Sequence, residues 1–193
     1  MNDPSQLRKD ILTARNNLSK DQLKDMSKAA CKNLMRQEEI KNSKTIFVYV
    51  SFRSEVETLD LIKTFLDLGK IVTVPITRVD EKRLDAIQIT DLTADLVPGY
   101  CNIPEPREEL CLKQRTNPED IDSIILPGSV FDERGGRFGY GGGYYDRFVS
   151  SIPRAFRVGL AFDLQIVKKA PLQSHDEILD LVITEKRTIK GKR

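Results

Sequence analysis

Residues 44–76 read KTIFVYVSFRSEVETLDLIKTFLDLGKIVTVPI. The run 45–50 is β-branched and aromatic throughout, with no polar alternation, which is the pattern of a strand buried on both faces. Leu59, Ile62, Phe65 and Leu66 then recur at helical spacing, and Gly69 supplies a helix stop. A second apolar run follows at 71–76. Strand, helix, strand predicts a right-handed parallel crossover. The fold class is therefore α/β: a single three-layer domain over residues 1–193, with a mostly parallel twisted sheet and helices on both faces. In such a Rossmann-like open sheet, ligands bind beyond the carboxyl ends of the strands. Phe52, Glu55 and Glu57 follow the first strand and lie where a site is expected. A polar loop with one exposed phenylalanine explains the same residues equally well.

Outward from this unit the elements continue. Asp3-Pro4 reads as an N-cap with proline in the first helical turn. Leu7, Ile11, Ala14 and Leu18 form a helical stripe, and Arg8 and Arg15, at its edge, read as solvated arginines. Ser19 to Gln22 is a capping box opening a second helix, whose apolar face is Leu23, Met26, Ala30 and Leu34. Downstream, 86–89 reads as a short strand, 97–106 as turn chemistry, and 107–120 as a polar surface segment or short helix. Strands are expected at 122–126, 156–162 and 179–184. A loop between the last two carries His175 and Asp176. The basic end KRTIKGKR reads as solvated.

The second decisive stretch is 126–148, LPGSVFDERGGRFGYGGGYYDRF, where six of the eleven glycines occupy positions 135–143. A strand enters it and a helix leaves it. Glycines before a helix let backbone N–H groups converge on one anion, and Arg134 and Arg137 add guanidinium donors suited to phosphate. Neither a Walker loop nor a dinucleotide fingerprint is present, since GxxxxGK[ST] is missing and position 144 is Tyr. A flexible linker, an RGG-type nucleic-acid segment and an ordinary turn remain alternatives. Asp146, at the loop exit, is placed to ligate Mg²⁺ beside phosphates, or to balance a helix dipole. Asp132, Glu133 and Asp176 are further carboxylates of that kind.

Composition narrows the class. A net charge of +2 disfavours a dedicated nucleic-acid binder. Cys31, Cys101 and Cys111 are odd in number and lack CxxC spacing, so neither a disulfide framework nor a zinc site is expected. His175 is the one histidine, which excludes a two-histidine metal site within one chain. No apolar run approaches a membrane span and the opening MNDPSQ lacks a signal-peptide pattern, so the expected location is cytoplasmic, with no membrane partner.

The stretch 126–148 closely resembles the signature of the 5-formyltetrahydrofolate cyclo-ligase (methenyltetrahydrofolate synthetase) family. The matching residues are Pro127-Gly128, Phe131-Asp132 and the run from Gly135 through Arg137 to Tyr144-Tyr145-Asp146. Ser51-Phe52 with Glu55 to Thr58, Asn102 to Pro106, His175 to Glu177 and Thr184-Glu185 resemble further family blocks, in order along nearly the whole chain. The resemblance implies an ATP- and Mg²⁺-dependent closure of 5-formyltetrahydrofolate, polyglutamylated or not, to 5,10-methenyltetrahydrofolate, with release of ADP and phosphate. It implies that Arg8, Lys9 and the loop Arg137, Phe138, Gly139, Tyr140, Gly141, Gly142, Gly143, Tyr144 and Tyr145 hold ATP. Tyr140 to Tyr144, Phe52 and Glu57 would contact the folate, with Arg137 and Tyr144 nearest the reaction. Asp146 and Asp176 would hold the metal. A monomer is expected. One departure stands out: the family's lysine four residues before Arg8 is Pro4 here.

Overall fold

The computed structural model describes residues 3–172 and 177–193. In chain order the elements are α1 (Pro4–Asn16), α2 (Lys20–Leu34), α3 (Glu38–Asn42), β1 (Thr45–Val48), α4 (Leu59–Asp67), β2 (Ile71–Arg78) and β3 (Arg83–Ile89). There follow α5 (Leu92–Asp95), β4 (Leu96–Pro98), β5 (Pro104–Pro106), α6 (Glu108–Lys113), β6 (Ser123–Leu126), β7 (Val130–Asp132) and β8 (Arg137–Phe138). The chain ends with α7 (Tyr144–Ser150), β9 (Phe156–Leu160), β10 (Ile166–Val167), β11 (Leu181–Ile183) and β12 (Thr188–Lys190).

Seven strands form one sheet in the order β12-β11-β9-β6-β1-β2-β3. The five central strands pair in parallel, and β3 and β12 close the two edges antiparallel. The crossover expected at 44–76 is therefore present as β1-α4-β2, in a mostly parallel sheet. Side-chain alternation divides the core into two faces. Ile46, Val48, Val72, Val74, Ile125 and Val158 pack with Ala30 and Leu34 of α2 and Ile62 and Phe65 of α4. Phe47, Ile124, Leu126 and Val182 point the other way, onto Phe148 and Val149 of α7. Because both faces are covered, the central strands are apolar without alternation, as their sequence shows.

Three local expectations are corrected. The short strand at 86–89 is the end of a longer one, β3, paired with the full length of β2. The basic end is not solvated coil: β12 pairs with β11, and the Arg193 guanidinium donates to Asp180 and Ala155. Lysine and arginine on an edge strand guard it against pairing with another chain. Finally, the only fully buried side chain of α1 is Arg15; Leu7 and Ile11 are half-buried and Ala14 is exposed.

The glycine-rich stretch supplies β7 and β8 to a small sheet, β10-β7-β8, too short to be read from residue patterns. Its turn is organised by Asp132, which is fully buried. The carboxylate accepts from the backbone N–H groups of Arg134 (2.9 Å), Gly136 (2.8 Å) and Ala170 (2.9 Å), and from the Arg134 guanidinium (2.6 Å). Burial alone would raise its pKa, but these donors outweigh it and hold the carboxyl below its ordinary value of 3.8. Asp132 is thus saturated by the fold, which removes it from the metal candidates.

Replacing Asp132 by Ala strands three backbone donors and should lower the unfolding free energy by about 3 kcal/mol in urea denaturation. A loss below about 1 kcal/mol would show that the turn stands without the carboxylate. Because the folded pKa is depressed, this stabilisation is complete above 3.8 and is lost as pH falls through the folded value. The stability gap between wild type and variant should therefore shrink on acidification.

Candidate active site

β1 and β6 lie side by side, yet the chain leaves them in opposite directions, toward β2 on one side and β9 on the other. The loops beyond their carboxyl ends diverge at this switch point and leave a crevice, the position where open α/β sheets bind ligands. Here it is a cleft of about 370 Å³. Phe52, Arg53 and Glu55 line it from the loop after β1, and Pro127 from the loop after β6. The glycine-rich stretch contributes Arg137, Gly139, Tyr140, Gly142, Gly143, Tyr144, Tyr145 and Asp146. Leu12 and Arg15 of α1, Pro75 and Thr77 of β2 and the rim residues Tyr100, Cys101 and Glu105 also line it.

Backbone conformation explains two of the glycines. Gly141 has φ +100° and Gly143 has φ +65°, where a side chain is strained. Gly143 is also the residue that opens α7.

Arg15 ties the cleft together. Its Nε donates to Ser54 Oγ (3.1 Å), one Nη to the Gly128 carbonyl (3.3 Å) and the other to Tyr140 Oη (2.9 Å). The reading of Arg15 as a solvated arginine is overturned, since only 3 % of it is exposed. Tyr140 passes its own proton toward Glu55, donating to Oε1 at 2.6 Å, while Glu55 Oε2 accepts from the Phe52 N–H at 2.9 Å. Burial raises the Glu55 carboxyl above the usual carboxylate range, against the pull of Tyr140, Phe52 and Arg15. The same burial, reinforced by the Glu55 charge, raises the phenols of Tyr140 and Tyr145 and keeps both protonated as donors.

At the other end of the cleft, Arg137 donates to Asp146 and, at 3.2 Å, to the Pro127 carbonyl. Arg8 lies over the Phe138 ring, 4.3 Å from its centroid, with a buried Nε that has no partner among the described residues. It also borders the loop, 3.5 Å from where a Cβ on Gly141 would sit. Arg8, Arg15 and Arg137 thus surround the glycine-rich loop with guanidinium groups.

Arg8 and the remaining expected residues fall outside the lining. Lys9 and Glu57 are exposed, and Glu57 is fixed through its backbone N–H to Ser27 Oγ (3.0 Å). Phe138 and Gly141 stand just behind the lining, against Arg8. Glu133 is exposed and pairs with Arg187, and Arg134 is bound to Asp132. That pairing, inside an ordered hairpin, argues against an RGG-type binding segment. Asp176 and His175 lie outside the described residues. Among the described residues no cluster of three or more His, Cys, Asp or Glu side chains could hold a metal. No helix among them is long and apolar enough to cross a membrane.

An open α/β sheet whose switch-point cleft is walled by glycine backbone and arginine defines an enzyme that handles an anionic small molecule. The chain belongs to the 5-formyltetrahydrofolate cyclo-ligase family, whose model matches residues 1–185. It is 32 % identical to a probable 5-formyltetrahydrofolate cyclo-ligase of Caenorhabditis elegans, over 96 % of this chain and 94 % of that protein. With the 5-formyltetrahydrofolate cyclo-ligase of Escherichia coli it shares 30 % identity, over 90 % of this chain and 96 % of the other. The NMR structure of Aquifex aeolicus 5,10-methenyltetrahydrofolate synthetase superposes with a TM-score of 0.85 at 32 % identity, covering 98 % of this chain and 93 % of that one. The protein is accordingly an enzyme of folate one-carbon metabolism.

The three thiols differ in a way that reports on the cleft. Cys101 is exposed on its rim, whereas Cys111 is buried and Cys31 is half-buried. Burial, then the charges of Asp60 and Glu57, push the Cys31 thiol up to about 12. Since the thiolate is the reactive form, an aromatic disulfide reagent at pH 8 should label Cys101 rapidly and leave Cys31 and Cys111 slow. Mass spectrometry of the labelled peptides checks this; rapid labelling of Cys31 would contradict the burial described.

Proposed function

We propose that the enzyme closes 5-formyltetrahydrofolate to 5,10-methenyltetrahydrofolate at the expense of ATP, by way of a phosphorylated formyl oxygen. The formyl oxygen takes the γ-phosphoryl group, and the neighbouring folate amine attacks the activated carbon. A carbon–nitrogen bond forms, the carbon–oxygen bond breaks, the amine proton is lost, and the original oxygen leaves in phosphate. The observation that carries this reading is the cleft itself: a glycine-walled, arginine-lined pocket that, among the described residues, has no serine or histidine in its lining. Phosphoryl transfer to a substrate oxygen asks the protein for positioning and charge neutralisation rather than a nucleophile.

For Arg137, Tyr144 and Phe52 the roles rest on their place in the cleft lining; for Lys9 and Glu57, which stand outside it, they rest on the family resemblance. Arg8, with its unpartnered buried Nε, faces the loop that would hold the phosphates. Lys9 stands near it in sequence and is the available cation where Pro4 replaces the family's lysine. Arg137 is the donor placed to stabilise negative charge on the moving phosphoryl group, and Tyr144, which lines the same cleft, would meet the reacting end of the folate. Phe52 offers a ring face to the pterin or benzoyl group, and Glu57 an acceptor for pterin N–H groups.

Magnesium fits the donor set in a limited way. Asp146 is a hard oxygen ligand beside the loop, and Mg²⁺ commonly takes one or two carboxylates, with phosphates and waters completing its shell. When bound it would neutralise phosphate charge, with Asp176 as the second carboxylate. Asp146 is paired to Arg137, so a metal ion taking the Asp146 carboxylate would free Arg137 toward the phosphates. A cytoplasmic location accords with this chemistry.

Purified protein with MgATP and 5-formyltetrahydrofolate should develop the longer-wavelength absorbance of the methenyl product, dependent on both ATP and Mg²⁺. No such band, with ATP binding established separately, would sink the assignment. Asp146→Ala should lower the Mg²⁺-dependent rate about 100-fold while circular dichroism stays native; near-normal turnover would remove Asp146 from the metal role. Glu57→Gln should weaken folate binding several-fold more than ATP binding by calorimetry. Equal losses would make Glu57 structural.

A further inference from the structure

The mechanism above gives no part to Glu55 or Arg15, yet both are buried charged groups in the cleft lining. Glu55 is 7 % exposed and Arg15 is 3 % exposed. Their bonds run between segments that belong to opposite halves of the site. One oxygen of Glu55 holds the Phe52 N–H, on the loop expected to meet the folate. The other holds the Tyr140 hydroxyl, on the loop expected to meet the phosphates. Arg15 repeats the bridge from the opposite side, bonding Ser54 in the first loop and Tyr140 in the second.

We infer that the Glu55–Tyr140–Arg15 bridge couples the two half-sites, so that occupation of either tightens binding at the other. This rests on the ATP- and folate-dependent reading given above. The physical reason is that Tyr140 has two hydrogen-bond commitments, to a buried carboxylate and a buried guanidinium, both of which become costly if it moves. Tyr140 itself is half on the surface, with 46 % of it exposed, so the loop has little apolar packing there to hold it. Its hydroxyl is the anchor. A ligand that fixes the loop around residues 139–143 fixes the Tyr140 hydroxyl, hence Glu55, hence the Phe52 N–H. A ligand seated against Phe52 acts along the same path in reverse. Ordering cost met by the first ligand is then spared to the second. Glu55 and Arg15 are positioning residues in this scheme, since the bridge works through Tyr140 and Phe52.

Coupling of this kind is reciprocal and can be measured in binding alone. The probes are a non-hydrolysable ATP analogue with Mg²⁺ and 5-formyltetrahydrofolate, titrated by calorimetry singly and each in the saturating presence of the other. In the wild type each should tighten the other by the same factor, about fivefold or more. In Tyr140→Phe, and separately in Glu55→Gln, the factor should fall toward one, whatever the individual affinities do. The double variant should be no further reduced, because both changes break one bridge. A factor of one in the wild type, or a factor retained in both variants, overturns the proposal. Amide hydrogen exchange without ligand supplies a second test that does not depend on the reaction. Tyr140→Phe should speed exchange at both 139–143 and 51–56; a response confined to 139–143 overturns the bridge. If the wild type binds neither probe, the assigned reaction fails, and the exchange result alone decides the bridge.

Discussion

A guanidinium removed from water must give each of its three nitrogens an acceptor or lose several kcal/mol. Arg15 meets this requirement with three acceptors drawn from three separate parts of the chain: Ser54 after β1, Gly128 after β6, and Tyr140 in the glycine-rich loop. None is a carboxylate. The balancing charge, Glu55, stands one hydrogen bond further on, across the Tyr140 hydroxyl. The loops after the two central strands and the glycine-rich loop are thus fixed relative to one another by the same side chain. The cleft is the space left between them, and its shape depends on this contact more than on apolar packing.

The parts of the fold legible in sequence were those governed by local periodicity. The run at 45–50 reads as a doubly buried strand because β1 is flanked by β2 and β6 and covered on both faces. Gln22 completes the capping box that Ser19 begins. The strand entering the glycine-rich stretch and the helix leaving it are β6 and α7. What failed were elements whose identity is set by a distant partner. The basic end forms β12 because β11 offers an open edge, and nothing in its own residues marks a strand. The β7–β8 hairpin has two or three residues per strand and is defined by the Asp132 carboxylate, not by a pattern.

The site divides along the same line. Arg137, Tyr140, Tyr144, Tyr145 and Asp146 were found because they belong to a contiguous stretch of unusual composition, and all five line the cleft. Phe52 was found from its position after a strand. Arg15 was missed because a helical arginine one place off an apolar stripe carries no local sign of burial; its partners lie 39 to 125 residues away in sequence. Glu55 and Glu57 are two residues apart, and the turn in which the Glu55 N–H bonds the Phe52 carbonyl, which no residue pattern announces, brings Glu55 inward and leaves Glu57 exposed. A signal was available in hindsight: α1 buries its apolar stripe poorly, so something else had to hold it to the protein.

The position of the cleft has a consequence for how the protein acquires it. β1, β2 and β3 follow one another in sequence and pair with near neighbours, and β6 with β9 forms a second local group. The two groups meet along the β1–β6 pairing, across which residues 49–122 intervene. Closing that long segment carries an entropic cost that only the completed pairing offsets. The crevice opens directly above this junction, so it cannot exist before the junction has closed. The cleft therefore exists only where the two halves have joined, so a ligand that binds there favours the joined chain over every partly assembled one.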